Sequence, residues 1–173
     1  DNIRDGLNQH LRPEPIAILK VEKVNEDFHS RFSAIKRTYE YIVTNRRAPL
    51  TIDKNKSWHI KKKIDVLLLK KAAKILEGTH DFSTFRAASC SAKSSIKKMN
   101  SVKIKKNNDK IFIRFSSKSF LQNQVRSMVG CCKYLSTGKW SLNEFKLAFK
   151  SKKRIKCAPP APACGLYLSN IKY

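Results

Sequence analysis

The chain is 173 residues long, enough for one domain or one domain with part of a neighbour. Apolar residues make up 41%, so a core can form, and no apolar run approaches the roughly 20 residues of a membrane-spanning helix. Thirty-seven basic against 13 acidic side chains leave a formal charge of +24, which draws polyanions at long range; nucleic acid is the natural partner, ahead of a lipid surface, because no basic amphipathic helix with an aromatic face stands out. The plain alternative is a lysine-rich composition spread over every exposed face, and Lys does far outnumber Arg. Asp1-Asn2-Ile3-Arg4-Asp5 lacks the pattern of a signal peptide, and without an initiator Met the chain reads as a processed or cut piece. The five cysteines are odd in number and form no C-x-x-C pair, so reduced thiols in a cytoplasm are expected, with no disulfide framework and no zinc site.

In chain order, Ile16 to Val24 is β-branched and apolar and predicts a strand behind Pro13 and Pro15. Arg31 to Thr44 predicts a longer one, with Tyr39, Tyr41 and Val43 on one face and Thr38, Glu40 and Ile42 on the other. A polar loop follows from Arg46 to Asn55. Asp65 to Glu77 predicts a helix capped by Asp65 and followed by Gly78, with Leu68, Ala72, Ile75 and Leu76 as its buried stripe. Ser101–Lys106 and Lys110–Ser116 predict a hairpin around Asn107-Asn108-Asp109. Leu121 to Ser136 predicts a helix buried through Leu121, Val125, Met128, Cys132 and Leu135; Ser141-x-x-Glu144 has the form of a capping box for another. Cys164 to Tyr173 closes the chain as a strand after a proline-rich approach. The layout is α+β: an antiparallel sheet with helices packed on one face.

Generic nucleotide, metal and hydrolase motifs are absent. His29 and His80 lack companions and read as polar loop or edge residues rather than ligands. Four blocks nevertheless stand in order and register. They are Phe28-His29-Ser30-Arg31-Phe32-Ser33-Ala34 with Lys36-Arg37-Thr38-Tyr39-Glu40-Tyr41; Gly78-Thr79-His80-Asp81-Phe82-Ser83-Thr84-Phe85-Arg86; Phe120-Leu121-Gln122-Asn123-Gln124-Val125-Arg126-Ser127-Met128-Val129-Gly130; and Gly165-Leu166-Tyr167-Leu168. Together they resemble the tRNA pseudouridine synthase A family, over essentially the whole chain.

Two departures matter. Gln124 stands where the family often has Met. More consequentially, the family's nucleophilic aspartate lies in a Gly-Arg-Thr-Asp motif that does not occur here. Asp81 is no substitute; it belongs to a different block and is expected to cap a turn. The resemblance implies residues 1–24 as the tail of an N-terminal subdomain and residues 25–173 as the C-terminal subdomain of an enzyme that isomerises uridine to pseudouridine on the 3′ side of the tRNA anticodon stem-loop. The base detaches at N1, turns and reattaches through C5, so no cofactor and no metal are needed. Tyr39 matches the tyrosine that stacks on the base and acts as general base at C5, although a strand Tyr packed in the core is the plain alternative. Arg126 matches the arginine that pairs with the catalytic aspartate, against the reading of a solvent-facing helix Arg. Arg86, Arg31, Arg37 and His29 fall on the RNA-binding side; for Arg31 and Arg37 an ordinary surface charge is as good a reading. Leu166 and Leu168 are expected as pocket wall. The family also implies a cytoplasmic homodimer with tRNA as partner. A non-catalytic RNA-binding module on the same scaffold is the alternative, and the missing nucleophile is its argument.

Overall fold

The computed structural model describes all residues from Asp1 to Tyr173. They form two compact units, residues 1–33 and residues 34–173.

The first unit contains one helix, α1 (Asn2–His10), which buries none of its own residues. It had no counterpart among the predicted elements. The Asn8 carboxamide clasps the backbone of Ile18, donating to its carbonyl at 2.9 Å and accepting from its N–H at 2.7 Å. The strand predicted at Ile16–Val24 is not formed: the segment carries no ladder, and Ile16, Leu19, Val21 and Val24 are exposed. β-propensity favours an extended chain, but a strand exists only when a neighbour satisfies its backbone, and no part of this unit pairs with it. The strand predicted from Arg31 also starts late. Ser33 N–H donates to the His29 carbonyl at 2.8 Å and Arg31 N–H donates to His29 Nδ1 at 3.1 Å, which curls the backbone into a turn.

The second unit is built on a six-stranded sheet. Its strands are β1 (Lys36–Asn45), β2 (Trp58–Ile60), β3 (Gly78–Asp81), β4 (Ile96–Asn107), β5 (Lys110–Ser117) and β6 (Leu166–Lys172). They lie in the order β2-β1-β5-β4-β3, with β6 on the free edge of the first half of β1. All pairings are antiparallel except β1 with β2, where Val43 faces Trp58. Parallel neighbours need a crossover of about a dozen residues, and residues 46–57 supply one. Neither β2 nor β3 was among the predicted elements; both are too short to show an alternation.

Alternation decides the two faces. Tyr41, Val43, Val102, Ile111, Ile113 and Phe115 are buried on one side. There α2 (Val66–Leu76) and α3 (Gln124–Ser136) pack, with α4 (Leu142–Lys150) against both helices. No helix of this unit covers the other side. The α+β layout with helices on one face is therefore observed. Asp65 caps α2 by accepting from the N–H groups of Leu67 and Leu68 at 2.8 and 3.1 Å. The buried stripe of α2 is Leu69, Ala72, Ala73 and Leu76; Leu68 and Ile75 are only partly covered, so the stripe is rotated from the predicted one. Ser141 and Glu144 close the predicted capping box at 3.2 and 2.7 Å. The α3 helix begins three residues later than predicted because Asn123 sits in the left-handed region at φ 60°. Its predicted face, Leu121, Val125, Met128, Cys132 and Leu135, is fully buried.

Candidate functional site

Tyr39 lies in β1 opposite Phe115 of β5 and Leu168 of β6. The β1–β6 ladder shifts register between Thr38 and Tyr39, a bulge that bends the strand and re-aims the side chain beside it. The Tyr39 ring is half-buried and meets Phe120 edge-on, with centroids 5.0 Å apart and planes at 87°. That geometry matches the preferred approach of two aromatic quadrupoles. Leu166 pairs with Tyr41 and is half-buried; Leu168 is 49% exposed beside Tyr39.

The approach to α3 is a short, tightly held turn. Gln124 is fully buried, and its Oε1 accepts from the Leu121 N–H at 2.8 Å. Its carboxamide thus organises the turn that presents Phe120. Two residues on, the half-buried Arg126 donates from Nε to the Ala161 carbonyl at 2.7 Å and from Nη1 to Asn123 Oδ1 at 3.5 Å. No acidic side chain of the chain forms an ion pair with it; it donates to a carbonyl and a carboxamide oxygen. Next to it, Tyr41 donates its hydroxyl to the Pro162 carbonyl at 2.7 Å. Burial pushes the Tyr41 phenol well above its ordinary value, partly opposed by the positive charge of Arg126. Arg126 and Tyr41 thus donate to the successive carbonyls of Ala161 and Pro162, which brings the guanidinium to the face of β1 that Tyr41 shares with Tyr39.

The predicted site residues therefore divide. Tyr39, Arg126, Leu166 and Leu168 belong to one region around the start of β6 and α3. Arg86 is half-buried and donates through Nη2 to the carbonyls of Cys90 and Ala92 at 2.7 and 2.8 Å, so one end of its guanidinium ties its own loop. Arg37 donates to the Lys118 carbonyl at 2.5 Å, fastening the end of β1 to the segment that leads to Phe120. In the first unit, the Arg31 guanidinium stands 5.7 Å from the Phe32 ring centroid, and the His29 ring lies 4.4 Å from the same ring. Asp81 accepts from the backbone and hydroxyl of Ser83 at 2.9 and 2.6 Å, the turn-capping role expected of it. These bonds hold its carboxyl below the usual range, with Lys152 adding to the effect.

Three contributors were not singled out from sequence: Phe120, Asn123 and Ala161. Phe120 headed a recognised block and could have been assigned from that position. Ala161 acts through its backbone, which leaves no trace in residue type. No group of three His, Cys, Asp or Glu side chains gathers to hold a metal ion.

A family model described as tRNA pseudouridine synthase matches residues 72–173. Over all 173 residues the chain is 51% identical to tRNA pseudouridine synthase A of Pelagibacter ubique, covering 70% of that protein. It is 43% identical to the protein of the same name from Maricaulis maris, again over 70% of its length, and 44% identical to that of Azorhizobium caulinodans, over 67%. With the family model covering the sheet's second half, α3, α4 and β6, and the relatives covering every residue, the chain belongs to the tRNA pseudouridine synthase family.

Proposed function

We propose that the region around Tyr39, Phe120 and Arg126 is one wall of a uridine pocket, and that the protein acts on the anticodon stem-loop of tRNA. The observation that carries this reading is Arg126: a half-buried guanidinium, held from behind by a carbonyl, with no carboxylate of its own chain. Charged groups leave water when a partner repays the loss. A carboxylate nucleophile supplied from outside this sequence would be that partner, kept ionised and oriented by the cation.

In this pocket the target base leaves its stack and lies against the Tyr39 ring, which Phe120 steadies from the side. The glycosidic bond at N1 breaks, the base turns, and the sugar rejoins it at C5. The Tyr39 phenol oxygen takes the C5 proton as its own proton passes to water, and N1 takes up a proton from solvent, so the atoms balance without a cofactor. Leu166 and Leu168 close the apolar side. Arg86, Arg37, Arg31 and His29 serve the RNA backbone, contributing charge rather than base contacts. By the family resemblance the intact protein works as a cytoplasmic homodimer.

Because Gly-Arg-Thr-Asp does not occur in it, the chain alone turns nothing over. The test is tritium release from C5-labelled uridine in an anticodon stem-loop RNA. Release is expected from a protein in which this chain is joined to a segment bearing the motif. Absence of release from that protein would refute the pocket.

A further inference from the structure

The uridine pocket leaves unused two thiols that the fold brings together. All five cysteines are free. Cys131 lies on the buried side of α3, and Cys157 follows the short turn Arg154–Lys156 that opens the proline-rich segment. Their sulfurs stand 3.5 Å apart, although 26 residues separate them in the chain. The other three thiols are engaged elsewhere: Cys164 donates to the Ser57 carbonyl at 3.6 Å, Cys90 accepts from the Gln122 N–H at 3.4 Å, and Cys132 is enclosed in the core.

The two thiols are unequal. Cys131 is buried, whereas Cys157 is half-buried and open to a small oxidant. Cys157 ends a tight turn, its N–H donating to the Arg154 carbonyl at 3.0 Å. The Arg154 guanidinium donates to Ser127 Oγ at 3.0 Å, and the Cys157 thiol reaches the carbonyl of the same Ser127 at 3.9 Å. Cation and thiol thus converge on one residue of α3. Hydrogen bonding from Cys131 holds the Cys157 thiol below the ordinary cysteine range, against the effect of burial and with help from the Arg154 cation. The same bond, and then burial, pushes the Cys131 thiol up. A partly exposed thiolate beside a cation is the reactive kind of cysteine, and a second thiol within reach can resolve what it forms.

We propose that Cys131 and Cys157 are a reversible disulfide site, oxidised by a small hydroperoxide, that controls how the proline-rich segment sits on α3. The Cys157 thiolate attacks one peroxide oxygen and the O–O bond breaks. The departing hydroxide takes a proton and leaves as water, and Cys157 becomes a sulfenic acid. The Cys131 sulfur then attacks the Cys157 sulfur as its thiol proton leaves; the S–O bond breaks and a second water departs. The two thiols lose two electrons and the peroxide gains them. Forming the bond draws the sulfurs from 3.5 Å to about 2.05 Å. The segment has no slack to absorb this. Ala158 N–H donates to Cys131 Sγ at 3.3 Å, a Cβ on Gly130 would meet the Pro159 carbonyl oxygen at 2.1 Å, and Ala161 is bonded to Arg126 in both directions. It cannot move closer to α3, so the contraction displaces it along the helix and passes through Ala161 to the guanidinium. The disulfide chemistry stands apart from the uridine pocket; its effect on rate rests on the reading of Arg126 as part of that pocket.

The experiment treats the intact, fully reduced enzyme with hydrogen peroxide, blocks the remaining thiols by alkylation and maps the peptides by mass spectrometry. A peptide linking Cys131 to Cys157 should appear and should vanish on treatment with dithiothreitol. Cys157→Ser should abolish it. Cys131→Ala should leave Cys157 as a sulfenic acid that dimedone traps. On oxidation, hydrogen exchange at the Ala161 amide should quicken, as its bond to Arg126 is disturbed. The single-turnover rate should fall by on the order of ten- to a hundred-fold, the scale of an ångström-sized misplacement, and dithiothreitol should restore it. Reduced Cys157→Ser should isomerise tRNA as the unaltered enzyme does and keep its rate in peroxide. Thiols that stay reduced while other cysteines oxidise would make the pair ordinary core packing and overturn the proposal. So would over-oxidation of Cys157 without a link, or a link that changes neither exchange nor rate. If the reduced enzyme bound tRNA but did not isomerise it, the pocket reading would fall, while the linked peptide and the Ala161 exchange would still judge this site.

Discussion

Arg126 and Ala161 bond to each other in both directions: Arg126 Nε donates to the Ala161 carbonyl at 2.7 Å, and Ala161 N–H donates to the Arg126 carbonyl at 2.9 Å. The reciprocal pair locks the proline-rich segment before β6 onto the first turns of α3. It also fixes the guanidinium in direction, since its Nε is committed and its outer face is left for another partner. A side chain held this way meets a carboxylate without losing further conformational freedom.

Arg126→Ala in the intact enzyme removes that cation. Losing the partner of a buried charge commonly costs about 3–5 kcal/mol, some hundreds to thousands-fold in rate if it falls on the transition state. Single-turnover rates should drop by that factor while tRNA affinity stays within a few-fold. A variant that lost binding and activity in step while remaining folded would contradict the assignment. The orphaned Ala161 carbonyl should add about 1–2 kcal/mol of destabilisation in urea titration.

Tyr39→Phe keeps the ring and its edge-on contact with Phe120, so stability should change by less than about 0.5 kcal/mol, as for a substitution that breaks no packing. Stacking survives and proton transfer does not, so binding should persist and isomerisation should collapse. Full activity would make Tyr39 an ordinary strand residue.

The chain by itself should bind tRNA and release no tritium from C5-labelled uridine. If four to six phosphates are neutralised, the slope of log K against log salt should be roughly −3 to −5. Affinity independent of salt would count against RNA as the partner of the +24 charge.

Gly130→Ala tests the seat of the proline-rich segment. A Cβ there would sit 2.1 Å from the Pro159 carbonyl oxygen, a backbone atom that cannot rotate away. Overpacking of this kind costs about 1–3 kcal/mol and sometimes more, and here the shift would pass through Ala161 to Arg126. Both the midpoint of denaturation and the single-turnover rate should fall. A fully stable and active variant would show that the segment moves freely on α3.

Tyr41 should give the fold an alkaline limit. Its folded pKa is raised by burial, so its contribution is complete below the ordinary tyrosine value of about 10. That contribution is lost as pH rises past this value towards the folded one. Tyr41→Phe should cost about 0.5–1.5 kcal/mol at neutral pH through the lost bond to Pro162. Between pH 8 and pH 11 it should lose less stability than the unaltered protein does. Equal losses would exclude Tyr41 as a contributor.

Local chemistry was legible without coordinates. The Asp65 cap, the Ser141–Glu144 box, the alternation of Val102, Ile104, Ile111, Ile113 and Phe115, and the face of α3 each arise from residues a few positions apart. The order of the four blocks carried the family. Tertiary structure alone decided what depends on distant partners. It denied Ile16–Val24 a strand, because extended backbone needs a neighbour. It brought Trp58–Ile60 and Gly78–Asp81 into the sheet, because short segments become strands by pairing rather than by pattern. It turned Arg86 onto the Cys90 and Ala92 carbonyls, and it set Arg126 against Ala161, 35 residues away in the chain. A carbonyl acceptor has no side-chain identity, so no residue type announces where a guanidinium will be held.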